Sequence, residues 1–94
     1  MSDCVECLDG EKMHSRLKKI IGQLTAIDRM VEERASCEEI LIQIMAAKSA
    51  LQKAGQTVLE GHLAHCVHRG IETGDEARAV SDFTKAVEYF ARLA

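Results

Sequence analysis

The chain has 94 residues, a formal net charge of −3 and no proline, and only 3% of its residues are aromatic. Residues 1–94 are long enough for one small domain, which often gains stability by oligomerising, and the abundant helix-forming residues predict an all-α fold. The N-terminus lacks the apolar stretch of a signal peptide and no apolar run reaches the roughly 20 residues that cross a bilayer, so we expect a cytoplasmic protein without a membrane segment.

Residues 1–9 are predicted to form a mobile tail that carries a Cys-x-x-Cys pair, Cys4 and Cys7. In a cytoplasmic protein, cysteines more often serve metal or redox chemistry than a disulfide framework. The pair is therefore either part of a metal or redox lid or an incidental feature of a solvated tail. The sequence leaves both interpretations open.

Residues 10–34 are predicted to form helix one, because apolar residues recur there at steps of three and four and make one apolar face. Another face of this helix carries Lys12, Arg16 and Lys19 with the same spacing. This basic face is either an ordinary solvated surface or a surface that contacts phosphates. The negative net charge does not decide between them, because nucleic acids bind to a local patch rather than to an average charge.

Residues 37–69 are predicted to form helix two, with Gly70 as its C-terminal stop. Ser36 and Glu39 have the spacing of a capping box at its start. The predicted length of about 33 residues is well above the mean of about 11–12 for globular proteins. Its apolar residues also cover several sides, which indicates burial from several sides and therefore a partner subunit.

Residues 75–93 are predicted to form helix three, after a turn that starts at Thr73 and Gly74. The few aromatic residues of this helix occur at helical spacing, so we expect them to fill the core rather than to stack on bases. The predicted packing face consists of Ala79, Val80, Phe83, Val87, Phe90 and Leu93.

His62 and Cys66 are four residues apart, so both project from one face of helix two and could bind one metal ion. Cys37, at the other end of that helix, is on the order of 35–40 Å away and can join them only if two copies run antiparallel. Imidazole and two thiolates would suit a soft metal ion. Taken singly, each residue has an ordinary structural explanation, a buried cysteine or a solvent-facing imidazole. His65 and His68 are expected to be surface residues.

The sequence contains no motif that predicts an enzyme. It has no glycine-rich phosphate loop and no paired carboxylates in the setting of an active site. Cys37 and His62 could in principle form an activated thiol nucleophile. Three helices without a deep pocket are a poor setting for one, so we expect a protein that is not an enzyme.

Three segments, Arg16–Leu24, Cys37 and Gly61–Val67, resemble the CsoR/RcnR family of bacterial metal-sensing repressors, and the likeness extends from Met13 onward. The spacing of the Cys, His and Cys resembles the copper-sensing branch. The resemblance implies an antiparallel four-helix-bundle dimer that pairs into a tetramer. It implies a Cu(I) site made by Cys37 of one subunit with His62 and Cys66 of the other, and binding of operator DNA that Cu(I) weakens, so that metal export genes are derepressed.

The resemblance also implies roles for residues around the metal site and on the DNA-binding surface. Arg16 and Lys53 stand where the family carries basic residues that contact DNA, and Lys18 and Lys19 are expected to extend that surface. Ser36 and Asp82 occupy the positions at which copper-sensing members usually carry a Tyr and a Glu that surround the metal ligands.

Two other functions are compatible with the same residues. The chain could be a repressor that senses reactive sulfur species, with Cys37 and Cys66 of opposed subunits joined by a disulfide or polysulfide bridge. It could also be a helical metal or thiol protein that does not bind DNA. The sulfur-sensing repressor would not need the imidazole of His62. The metal or thiol protein would show no salt-dependent association with DNA.

Overall fold

A computed structural model describes residues 9–93, and its regular structure is entirely helical within that range. The elements are α1 (Gly10–Glu32), α2 (Cys37–Gly61), a π-helical turn (His62–Val67), α3 (His68–Glu72) and α4 (Glu76–Ala91). Because α2, the π turn and α3 follow one another without a break, residues 9–93 form three helical segments, and the predicted all-α fold is confirmed. None of the described helices is long and apolar enough to span a membrane. The predicted mobile tail, with Cys4 and Cys7, lies outside the described residues except for Asp9.

The described chain contains two compact units, residues 11–54 and a second unit that contains residues 55–93. In the first unit, α1 ends at Glu32, two residues before the predicted end. The end is a Schellman motif, because the N–H of Arg34 donates to the carbonyl of Val31 at 3.2 Å and the N–H of Ala35 donates to that of Met30 at 2.9 Å. Arg34 has a φ of 59°, so a bulky residue occupies the left-handed position that glycine usually takes.

The left-handed backbone of Arg34 predicts that Arg34→Gly stabilises the protein. An L-residue in this region costs roughly 1–2 kcal/mol, of which the greater chain entropy of unfolded glycine offsets roughly 0.5–1 kcal/mol. We expect the free energy of unfolding to rise by about 0.5–1 kcal/mol, measured by urea denaturation at one fixed protein concentration. Arg34→Ala removes the same side chain but keeps the penalty. Equal stability of the two variants would contradict the prediction.

In the second unit, α4 packs against the π turn and α3. Two glycines allow this close packing. A Cβ atom on Gly55 would lie 2.8 Å from Cδ1 of Leu93, and a Cβ atom on Gly70 would collide with that of Ala79. The C-terminal part of α4 therefore approaches Gly55, and its N-terminal part approaches Gly70.

Gly70 does not stop the second helical segment, so that prediction is wrong. Helical structure continues past Gly70 to Glu72. Gly70 does not reverse the chain but allows the close approach of Ala79. The reversal occurs at Gly74, which has a φ of 78°. A second Schellman motif closes the segment, in which the N–H of Asp75 donates to the carbonyl of Gly70 at 2.8 Å and that of Gly74 donates to Ile71 at 3.3 Å. This places the turn in the predicted Thr73–Gly74 region.

Many large apolar side chains of the single chain face solvent. Of the described hydrophobic residues, only Ile20, Ala47 and Ala54 are buried. Exposed apolar residues on α2 include Leu41, Ile42, Ile44, Met45, Leu51 and Val58. Half of the packing face predicted for α4, namely Val80, Val87 and Leu93, is also exposed. Apolar surface of this extent is typical of subunits that associate, but the dimer and tetramer stay predictions.

Candidate functional site

Cys37 is the first residue of α2 and carries a free, exposed thiol. The residue before it, Ser36, caps the helix, since its Oγ accepts a hydrogen bond from the N–H of Glu39 at 3.2 Å. The Ser36 carbonyl accepts from the N–H of Ile40 at 3.1 Å and so begins the helical hydrogen-bond pattern. The predicted N-cap is therefore present, and it fixes the thiol at the helix start.

His62 and Cys66 lie in the π turn, where the sequence predicts ordinary α-helix. Hydrogen bonds in a π-helix run from residue i to i+5, so the turn holds one more residue than an α-helical turn. Residues four and five apart are then neighbours, and His62 and Cys66 stay on one side of the turn. Both are half-buried. Single π turns within α-helices are frequent at functional sites.

The imidazole of His62 stacks on the ring of Phe83 from α4. The ring centroids are 5.8 Å apart and the planes are inclined by 28°. These values fall within the range of offset stacks between aromatic side chains. Phe83 is therefore a neighbour of the candidate ligand as well as a packing residue, and only the packing role was predicted from the sequence. Twenty-one positions separate the two residues, and they meet only because the chain reverses at Gly74.

Two of the three predicted metal ligands, His62 and Cys66, lie in one turn, whereas the third, Cys37, is at the start of α2. The 25 residues of α2 separate Cys37 from His62, which is about 37 Å of helical rise. Within residues 9–93, no group of three His, Cys, Asp or Glu side chains is arranged to hold a metal ion.

The remaining polar residues near this turn differ in their surroundings. Asp82 of α4 is half-buried and precedes Phe83 in the chain. His68 is exposed as predicted, and its Nε2 lies 2.8 Å from Oε1 of Glu72. His65 is half-buried and its Nδ1 atom is buried, so the prediction of a surface residue is wrong for His65. His65 belongs to the π turn that packs against α4, although Leu63 of the same turn is exposed.

A basic groove of about 480 Å³ lies between α1 and the middle of α2. We define this basic groove by its lining residues, which are Lys12, Ser15, Arg16, Lys19, Ile20, Gln23, Ala50 and Lys53. The α1 residues share one face because they recur at steps of three and four. Ile20 is buried, and Ala50 is small and half-buried. The lining contains four cationic side chains and no acidic one, so the groove suits an anionic ligand.

The groove joins three of the four basic residues expected on the DNA-binding surface. Arg16 and Lys19 enter it from α1 and Lys53 from α2. Lys18 does not line it, because one residue along an α-helix turns the side chain about 100° away from Lys19. Lys12 supplies the fourth positive charge, and its spacing from Arg16 was the sequence signal that placed both on one face.

The sequence is similar to known metal-responsive repressors over most of its length. Residues 9–89 match the family described as metal-sensitive transcriptional repressor. The chain is 35% identical to the copper-sensing transcriptional repressor CsoR of Bacillus subtilis over 82 residues, which cover 87% of this chain and 81% of that protein. It is 39% identical to the transcriptional repressor RcnR of Salmonella arizonae over 79% of each chain.

Solved structures agree with these matches. The crystal structure of the copper-sensing repressor CsoR with Cu(I) from Geobacillus thermodenitrificans has a TM-score of 0.83 and 33% identity, over 97% of this chain and 93% of that one. The nickel-responsive transcriptional regulator InrS has a TM-score of 0.79 and 29% identity, over 85% and 90% of the two chains. The proteins similar to this chain are thus regulators of transcription, not enzymes.

Proposed function

Because the chain belongs to the family of metal-sensitive transcriptional repressors, we propose that it is a copper(I)-responsive repressor that binds operator DNA in the metal-free state. Binding of Cu(I) weakens its affinity for DNA and derepresses genes for metal export. The family predicted from the sequence is thereby confirmed, whereas the metal, its ligands and the DNA contacts belong to the proposal. Because a repressor acts on DNA, the proposal includes a cytoplasmic location.

The observation that carries the copper part of the proposal is the π turn. His62 and Cys66 are four residues apart within that turn, a spacing that supports one metal ion bound by both side chains. With Cys37 from an antiparallel second subunit, the donors are two thiolates and one imidazole, a set that favours Cu(I) over harder ions. The exposed thiol of Cys37 is accessible to such a subunit, and the exposed apolar residues of α2 supply a surface for the dimer and the tetramer.

The basic groove supports the DNA part of the proposal. Arg16, Lys19 and Lys53 can contact phosphates together with Lys12, because all four line one groove. Such contacts release counterions and make the affinity strongly salt-dependent. Control by metal requires that the DNA-binding form and the released form differ in their affinity for Cu(I), and the coupling between the two ligands is then reciprocal.

We expect the reduced, metal-free protein to bind its operator with an affinity that falls steeply as salt rises, and Cu(I) to weaken that affinity about 5- to 150-fold. Fluorescence anisotropy with operator DNA measures both effects. A thiol reductant is included, because Cu(I) binds thiolates and an oxidised sulfur is not a thiolate ligand. Oxidised protein is the control and should not respond to Cu(I). Salt-independent or absent DNA binding would favour a metal or thiol protein without DNA, and DNA binding that ignores Cu(I) would exclude copper control.

The free, exposed thiol of Cys37 also supports a second candidate function, in which the repressor responds to reactive sulfur species. In that case Cys37 and Cys66 of opposed subunits form the sensing pair, and DNA is released when they become bridged. The two candidates share the fold and the groove and differ in their need for the imidazole. Replacement of His62 therefore separates them.

A further inference from the structure

We propose that Phe83 is a positioning residue of the metal site, whose ring holds the imidazole plane of His62 and joins the π turn to α4. The inference rests on the proposed Cu(I) site. It assigns to a residue of α4 the task of orienting a ligand that lies on a different helical segment. The stack of His62 on Phe83 is the observation that carries it.

The orientation of an imidazole matters because its metal-binding lone pair lies in the plane of the ring. An imidazole on an otherwise exposed helix can rotate about its side-chain torsions, and binding a metal then requires that this freedom be lost. A stack with an inclination of 28° and centroids 5.8 Å apart restricts the plane before the metal arrives. Outer groups that orient a ligand by hydrogen bonding typically change metal affinity about 10- to 100-fold, and we take the lower end of that range for a ring that orients the ligand by stacking.

The surroundings of Phe83 separate this role from general packing. Both rings are half-buried, so the stack is a lateral contact at the edge of the unit rather than part of a sealed core. The other phenylalanine of α4, Phe90, lies beside Gly55 on α2, where a Cβ atom would be 3.4 Å from Cδ1 of Phe90. The two phenylalanines thus belong to one helix but have different neighbours, one at the candidate ligand and one away from it.

Three variants test the proposal. Phe83→Leu removes the aromatic face and keeps an apolar side chain, Phe83→Tyr keeps the face, and Phe90→Leu makes the same change at the matched position on α4. Competition with a chelator under reducing conditions measures Cu(I) affinity. Two further readouts need no copper, namely the affinity of the metal-free protein for operator DNA and the NMR shifts of the His62 ring protons, which a stacked ring perturbs.

We expect Phe83→Leu to weaken Cu(I) binding about tenfold and to remove the ring-current shift of the His62 protons. DNA affinity of the metal-free protein should stay within about twofold of the parent protein. Phe83→Tyr should restore both properties, and Phe90→Leu should leave both unchanged. Equal Cu(I) affinity in Phe83→Leu and the parent protein, or an equal loss in Phe90→Leu, would overturn the proposal. Failure of the parent protein to bind Cu(I) would instead refute the proposed function, and the NMR shifts would still show whether Phe83 holds the ring.

Discussion

We expect that replacing any one of Cys37, His62 and Cys66 by alanine lowers Cu(I) affinity by more than about 100-fold. The reason is that even changes around a metal ligand cost about 10- to 100-fold, and loss of one of three donors removes a metal bond outright. Chelator competition under reducing conditions measures the effect. His68→Ala is a matched control, since His68 is an exposed imidazole whose Nε2 lies 2.8 Å from Oε1 of Glu72, just beyond the π turn. Retention of parent affinity in His62→Ala would remove His62 from the site.

The same variants test whether two subunits share each site. Neither Cys37→Ala nor Cys66→Ala chains should bind Cu(I) alone. A mixed dimer of the two keeps one complete site, made by Cys37 of one chain with His62 and Cys66 of the other. Random mixing would then restore about one quarter of the parent number of sites. No recovery on mixing would mean that all ligands come from one chain, against the separation that α2 imposes on Cys37 and His62.

His62→Ala also decides between copper and sulfur as the inducer. If copper controls the repressor, this variant still binds DNA but no longer releases it when Cu(I) is added. If reactive sulfur species control it, the variant responds to persulfide like the parent protein, because bridging needs only the sulfurs of Cys37 and Cys66. Anisotropy of operator DNA, with each inducer added separately, gives both results in one experiment.

The second large effect is expected at the basic groove. Arg16→Ala or Lys53→Ala should weaken operator binding about tenfold or more, because a hydrogen bond to a charged group contributes about 1.5–3 kcal/mol. Each change should also lower the slope of log affinity against log salt by about 1 for every phosphate that the protein no longer neutralises. Titrations of operator DNA over a range of salt concentrations measure both quantities, and Cu(I) affinity should be unaffected.

Two control variants make the groove prediction specific. Lys85→Ala removes the same charge from α4, outside the groove, and should change DNA affinity little. Lys18→Ala removes a charge from α1 itself, at a position that does not line the groove. A reduction of DNA affinity in Lys18→Ala as large as that in Arg16→Ala would show that the basic end of α1 acts as a whole, and it would contradict the assignment of DNA binding to the groove.

Local chemistry accounts for what the sequence predicted well. The period of the apolar residues is a property of each segment, so α1 and the long second segment were recognisable without a structure. The N-cap at Ser36 and the turn at Gly74 also follow from neighbouring residues, and the structure contains both. The spacing of His62 and Cys66 was sufficient to suggest a pair of ligands, and the motifs around them were sufficient to suggest the family.

Contacts between distant residues were not predictable in this way. Glycine after a helical pattern commonly ends the helix, so the sequence predicts that role for Gly70. Only the close approach of Ala79 shows that Gly70 serves packing instead. The interruption of the α-helix by a π turn has no local signal such as proline, and the distant element that packs against the turn is α4.

The sequence by itself therefore determined the helices, the spacing of His62 and Cys66 in the second segment and the basic face of α1, because each depends on residues within a few turns of one another. The family resemblance suggested that Lys53 and Arg16 share a surface, and the tertiary structure shows that Lys53 joins that face to make a groove. The tertiary structure alone shows that Phe83 covers the imidazole of His62. Both contacts bridge more than 20 residues of chain. They depend on the angle at which two helices meet, which side-chain packing sets and periodicity does not encode.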